Sequence, residues 1–150
     1  MKLQYPDCKI KTRATDKEEI WDPIRKKWVW LTPEEWVRQH FCCYLVVVAR
    51  FPAALIAIEK QVKVNGRLKR MDIILHDRTG KPMAIVECKR EEQALSDKVF
   101  RQAAVYNMAM RVPYLIITNG KEVISAGIDF GQQDFHLIDG LPELPEKANN

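Results

Sequence analysis

Lys69-Arg70-Met71-Asp72-Ile73-Ile74-Leu75 and Met83-Ala84-Ile85-Val86-Glu87-Cys88-Lys89 are joined by a polar turn, His76 to Pro82, with Gly80 inside it. They read as the two strands of a hairpin. Met83 to Val86 is apolar at every position, the pattern of a strand buried on both faces. Folding the chain about the turn sets Asp72 opposite Glu87, Ile74 opposite Ile85 and His76 opposite Met83. Strand side chains alternate between faces, so Glu87 and Lys89 share one face while Cys88 points to the other. Asp72, Glu87 and Lys89 therefore meet at one end of the strand pair, provided the register holds, since a slip of one residue separates them.

Upstream, Leu55 to Val64 supplies a third strand, joined to the hairpin by Asn65-Gly66, a strong turn signal. Before it stands a helix start: Thr32 as N-cap, Pro33 at the first helical position and Glu34-Glu35 in the first turn. Val37, Phe41, Tyr44 and Val48 then follow one helical face, and the helix should stop before Phe51-Pro52. Downstream, Ser96 opens a second helix with Val99, Ala103, Tyr106 and Met110 as its apolar stripe. Tyr114 to Thr118 reads as a short buried strand, and residues 121–138 as a final hairpin. Residues 1–31 show no clean period beyond a turn around Asp22-Pro23 and Arg25-Lys26-Lys27 and a short strand, Trp28 to Leu31. The expected fold is α/β: a mixed central sheet built as helix, three-strand antiparallel meander, helix and strand. Residues 1–31 would be an N-terminal extension packed on the domain at 32–140, with a frayed tail at 141–150.

At 150 residues, with 47% hydrophobic and 29% charged, the chain fits one globular domain. Its net charge of +4 permits a polyanionic partner without demanding one. No secretory pattern opens it, and the longest apolar run, Phe41 to Ala49, is about half the length of a membrane span. A cytoplasmic protein is expected. The four cysteines, Cys8, Cys42, Cys43 and Cys88, have no C-x-x-C spacing, which predicts reduced, buried or incidental thiols. There is no Gly-rich phosphate loop and no serine in a nucleophile elbow, so a nucleotide-driven motor and acyl transfer are unsupported. His40, His76 and His136 lack metal-ligand spacing and read as surface or packing residues, and the four tryptophans read mainly as packing.

Two facing carboxylates repel unless a cation or a shared proton compensates. A hard divalent ion, Mg²⁺ or Mn²⁺, held by Asp72 and Glu87 and completed by a phosphate, resolves that conflict. Lys89 beside it supplies a positive charge, and together these are the parts that metal-assisted phosphodiester hydrolysis needs. The plainer reading is a surface salt-bridge cluster in which Lys89 and Arg70 pair the two acids. Lys60, Lys63, Arg67, Lys69 and Arg70, with Arg90 later, form a basic group suited to a DNA backbone, or simply a solvated face.

Met71-Asp72, followed by Glu87-Cys88-Lys89 on this order of elements, resembles the PD-(D/E)xK nuclease superfamily. More narrowly, the chain resembles the N-terminal nuclease domain of type I restriction endonuclease motor subunits. Thr32 to Gln39, Lys69 to Ile74, Ala84 to Lys89, Gln102 to Asn107 and Val112 to Gly120 carry the likeness. Met71 stands where the superfamily's name has proline, a position with no chemical role. The resemblance implies metal binding by Asp72 and Glu87, with the backbone carbonyl of Cys88 as a further ligand, and a catalytic role for Lys89. It also implies a helix-1 glutamate in the metal shell. Glu34 fits that place better than Glu35, because Val37 and Phe41 share its face; first-turn dipole complementation or a pair with Arg38 is the equal alternative. Gln102 and Tyr106 resemble a Q-x-x-x-Y motif that supports such sites, against a core role for each. DNA would be the substrate, and a separately encoded motor or methyltransferase subunit a partner. A catalytically silent DNA-binding or docking module is the alternative function, and oligomeric state stays open.

Overall fold

The computed structural model describes residues 1–146. Nine strands and two α-helices are arranged around a six-stranded mixed sheet: β1 Thr12–Ala14, β2 Glu18–Asp22, β3 Lys27–Trp30, α1 Pro33–Val47, β4 Ile56–Val64, β5 Arg67–His76, β6 Pro82–Cys88, α2 Asp97–Met110, β7 Tyr114–Thr118, β8 Val123–Asp129 and β9 Asp134–Ile138. The central sheet runs in simple sequence order from β4 to β9. Every pairing is antiparallel except β6–β7, which is parallel and bridged by α2. Such a crossover is what a parallel neighbour requires, and it puts α2 against one face of the sheet. Helix, meander, helix and strand appear in the order expected from the sequence.

Helix α1 covers the opposite face. Thr32 Oγ1 accepts from the Glu35 N–H at 3.0 Å, a cap that stabilises a helix by about 1 kcal/mol. Val37, Phe41, Cys42 and Leu45 then bury against Ile73, Leu75, Ala84, Val86 and Ile116. On the far side Phe100, Ala103 and Ala104 of α2 pack on Leu115, Ile117 and Ala126. The buried stripe of α2 is thus Phe100, Ala103, Ala104 and Asn107, not the expected Val99, Ala103, Tyr106 and Met110. Met83 to Val86 is buried at each residue, as its unbroken apolar run requires of a strand between two helices.

The decisive hairpin keeps its register: Ile73 pairs with Val86, Ile74 with Ile85 and Leu75 with Ala84. A shift between Leu75 and His76 then sets His76 opposite Pro82 rather than Met83. At the β4–β5 turn Asn65 and Gly66 both adopt positive φ, 50° and 77°, the geometry that made this dipeptide a turn signal.

Three further expectations are corrected. Residues 1–31 hold a separate three-stranded antiparallel sheet, β1–β2–β3, where only one strand was foreseen. Here apolar alternation is masked by cations lying over aromatic rings: Arg13 over Trp28 at 4.4 Å and Lys17 over Trp30 at 3.9 Å. The tail, expected to fray from residue 141, places Leu141 and Leu144 on the core; residues 147–150 lie outside the described residues. Finally, Cys8 and Cys43 form a disulfide, while Cys42 and Cys88 are free and buried. Neighbouring helical residues point about 100° apart, so Cys42 enters the core while Cys43 faces the N-terminal segment. No helix among the described residues is long and apolar enough to cross a membrane.

The disulfide closes a sequence separation of 35 residues. Cys43→Ser should lower the unfolding free energy by about 2–4 kcal/mol, measured by denaturant titration without reductant. Equal stability of variant and wild type would show that the cross-link does not constrain the unfolded chain.

Candidate active site

Asp72 stands one residue beyond the end of the β5–β6 ladder. Its Oδ2 accepts from the Cys88 backbone N–H at 2.8 Å, so the carboxylate caps the end of the strand pair. Its Oδ1 accepts from Arg38 Nη2 at 2.7 Å. Glu87, on the α2 face of β6, and Lys89, one residue past its end, form an ion pair of 2.9 Å, whereas the Asp72 carboxylate, expected beside them, turns to Arg38 of α1. The Lys89 backbone N–H continues the parallel ladder by donating to the Thr118 carbonyl at 2.8 Å. Beyond it, the Asn119 side chain donates to the Gln93 carbonyl at 2.9 Å and accepts the N–H groups of Lys121 and Glu122. The turn after β7 therefore anchors the loop that leaves Lys89.

Glu87 and Lys89 open on a cavity of about 480 Å³, whose other polar walls are Lys69, Gln102 and Tyr106. Both members of the Q-x-x-x-Y pair are exposed, so neither is a core residue. The reason is a rotation of α2: with Phe100, Ala103, Ala104 and Asn107 against the sheet, Gln102 and Tyr106 turn to the cavity. Lys69 lies with its Nζ 3.1 Å from the centre of the Tyr106 ring. Its ammonium is held below the ordinary lysine range by burial, which the nearby Glu87 and Asp72 only partly offset.

The basic group does not act as one patch. Val64 pairs with Arg67, Val62 with Lys69 and Lys60 with Met71, so Lys60, Arg67 and Lys69 share the α2 face with Tyr106. Lys63 and Arg70 belong to the other face; Arg70 lies 3.7 Å from Glu59 and makes no pair with Asp72. Arg90 is exposed and 3.6 Å from Glu34.

The two helix-1 glutamates separate. Glu34 is half-exposed and faces Arg90, whereas Glu35 is buried and turned inward. Glu35 meets Arg38, accepts from Arg25 Nη2 at 2.7 Å and from Gln39 Nε2 at 2.9 Å. Arg38, only 5% exposed, also lies 3.2 Å from Glu59; Arg25 bonds Asp22 and reaches Glu59 at 3.1 Å. Asp22, Arg25, Glu35, Arg38, Glu59 and Asp72 thus form one ionic network that ends at the site. Sequence reasoning treated Arg38 only as a helix partner of Glu34 and left Arg25 unassigned. The available signal was Arg38 three residues after Glu35 on the face that carries Phe41 and Leu45. Burial opposes the charge on Arg38, but Glu35 and Asp72 outweigh it and raise its pKa further.

Among the described residues no three Asp, Glu, His or Cys side chains group closely enough to hold a metal ion. Two carboxylates with a backbone carbonyl remain the donor set of a hard cation whose shell is completed by water and phosphate. Arg38 and the Cys88 N–H use one acceptor position on each Asp72 oxygen, and a carboxylate has about four. The residues present suit such an ion in donor type, though not as a preformed cluster among the described residues.

Residues 33–142 match the family described as type I restriction enzyme R protein N terminus (HSDR_N). The chain belongs to this family. Among solved structures it is similar to a fragment described as an HsdR subunit of a type I restriction enzyme from Vibrio vulnificus YJ016, at 23% identity and a TM-score of 0.44. That match covers 59% of this chain and 19% of the other, so the chain corresponds to about a fifth of that fragment. No curated protein matches it.

Asp22, fully buried, ties the N-terminal sheet to this network. Burial raises its carboxyl pKa, but the Arg25 backbone N–H and guanidinium outweigh burial and hold it below the ordinary 3.8. A depressed folded-state value means that its contribution is present above 3.8 and is lost as pH falls through the lower value. Asp22→Asn should therefore cost about 2–3 kcal/mol at neutral pH and flatten the acid limb of the stability–pH curve, followed by denaturant unfolding. A variant that keeps both the wild-type stability and the acid limb would contradict this role.

Proposed function

We propose that this protein is a Mg²⁺- or Mn²⁺-dependent deoxyribonuclease of endonuclease type, acting in restriction or DNA processing. Membership in the R-protein N-terminus family supports a nuclease-like role. The observation that carries the finer reading is the Glu87–Lys89 pair opening on a cavity, with Asp72 fixed at the end of the adjacent strand.

In this reading Asp72, Glu87 and the Cys88 carbonyl would hold the ion. When bound, the ion polarises the phosphate and makes water a stronger nucleophile at neutral pH. Asp72 is oriented before substrate arrives, because Arg38 and the Cys88 N–H fix both of its oxygens. Lys89 exchanges its bond to Glu87 for the scissile phosphate and offsets the charge that grows there. Gln102, on the cavity wall, positions a phosphate oxygen or a water. Glu34, beside Arg90, would add negative charge on the α1 side of the site. Lys60, Arg67, Lys69 and Arg90 carry the DNA backbone toward the cavity, while Lys63 and Arg70 contact it around the hairpin edge. A motor or methyltransferase subunit delivers the DNA.

One observation favours a second reading, a docking module without catalysis: Arg38 already compensates Asp72, so the acid does not need a metal in order to be buried.

Incubating supercoiled plasmid with the protein and Mg²⁺ or Mn²⁺ separates the two. The wild-type chain should nick it, and Asp72→Asn and Lys89→Ala should each slow nicking by at least about 100-fold, Lys89→Ala at unchanged melting temperature and Asp72→Asn at a lower one, because Arg38 loses a counter-charge. Equal rates in wild type and Lys89→Ala would remove Lys89 from the mechanism.

A further inference from the structure

Lys69 and Tyr106 line two openings at once. One is the cavity that holds Glu87 and Lys89; the other, about 520 Å³, lies toward the β4–β5 turn and is walled by Val64, Asn65, Arg67 and Leu68. The Lys69–Tyr106 pair is therefore the partition between the catalytic cavity and a neighbouring one. The second cavity is lined by two cations, an aromatic ring, two aliphatic side chains and an amide, with no carboxylate. That lining repels a cation and suits an anion carrying a flat apolar group.

The ring itself points the same way. Tyr106 is 44% exposed and the adjoining Val105 67% exposed, an apolar surface that the fold leaves uncovered. Lys69 sits over one face of the Tyr106 ring at 3.1 Å, which fixes the ring's orientation and leaves a base the opposite face of this 44% exposed residue. An aromatic face with adjacent cations is how proteins hold unpaired bases, the ring stacking and the cation taking the phosphate. Paired bases inside a duplex do not present a free face to such a ring.

We propose that Tyr106, with Lys69 and Arg67, forms a stacking subsite for an unpaired nucleotide next to the Glu87–Lys89 cavity, so that the site prefers single-stranded or locally unpaired DNA. This rests on the nuclease reading of the neighbouring cavity, which sets what the strand is held for. The subsite itself requires no metal, and it selects by base stacking, not by sequence.

The test is fluorescence anisotropy with labelled oligothymidylate and a blunt duplex of equal length, in EDTA, using the whole chain. Wild type should bind the single strand more tightly. Tyr106→Ala should weaken that binding by roughly 5- to 150-fold while leaving duplex binding unchanged, and Tyr106→Phe should retain it. Lys69→Gln should weaken both and shallow the salt dependence. Equal single-strand affinity in wild type and Tyr106→Ala, equal losses for both DNAs, or an absence of DNA binding would each overturn the proposal. Because EDTA removes catalysis from the experiment, a chain that stacks single strands yet never cleaves would sink the nuclease reading alone.

Discussion

A buried guanidinium holds this molecule's working parts together. Arg38 projects from α1 into the end of the sheet and meets Glu35 of its own helix, Glu59 of β4 and Asp72 of β5. Arg25 repeats the pattern one layer out, joining Asp22, Glu35 and Glu59. Four carboxylates thus share two guanidiniums. Removing one partner of such a buried pair leaves an uncompensated charge and costs about 3–5 kcal/mol. The N-terminal sheet, α1 and the β4–β5 hairpin are therefore coupled through the same groups that orient Asp72. An acid whose oxygens are both fixed beforehand loses little further freedom when a ligand arrives.

The sheet divides the labour. On the α1 face its end is an ionic network with most of its bonding groups satisfied, built for rigidity. On the α2 face the same strand ends carry Glu87 and Lys89, exposed by about a quarter each, in front of a cavity. Asp72 lies at the boundary, bonded toward α1 yet adjacent to the Cys88 backbone. For the proposed site this separation would serve two demands, since groups with a fixed geometry and groups that would exchange partners with a ligand lie on different faces. The helix supplying the cavity's outer wall is also the crossover that makes β6 and β7 parallel, so fold topology and site placement have one cause.

The parts legible in the sequence were those governed by local rules. Strand alternation and the turn at Gly80 gave the β5–β6 register and with it the shared face of Glu87 and Lys89. The Thr32 and Ser96 caps marked both helix starts. What escaped depended on contacts between distant residues. Arg38 looks like any helical arginine until β4 and β5 bring Glu59 and Asp72 to it. Cys8 meets Cys43 only because the N-terminal segment lies across α1. Tyr106 seemed a core residue because Val99 and Met110 suggested a stripe, whereas Phe100 and Asn107 set the actual rotation of α2. The β1–β3 sheet lacked an apolar period because its stability leans on cation–ring contacts and on Asp22.

The central claim is that Asp72 and Glu87 form a working cation site despite the grip of Arg38 on one of them. Calorimetric titration of Mn²⁺ into the purified protein, with a short DNA duplex present to complete the coordination shell and Asp72→Asn alongside, tests it directly. The account predicts saturable binding by the wild type that disappears in the variant. Absence of binding in both proteins, with the fold intact, would contradict it and leave Arg38 as the only counter-charge Asp72 needs.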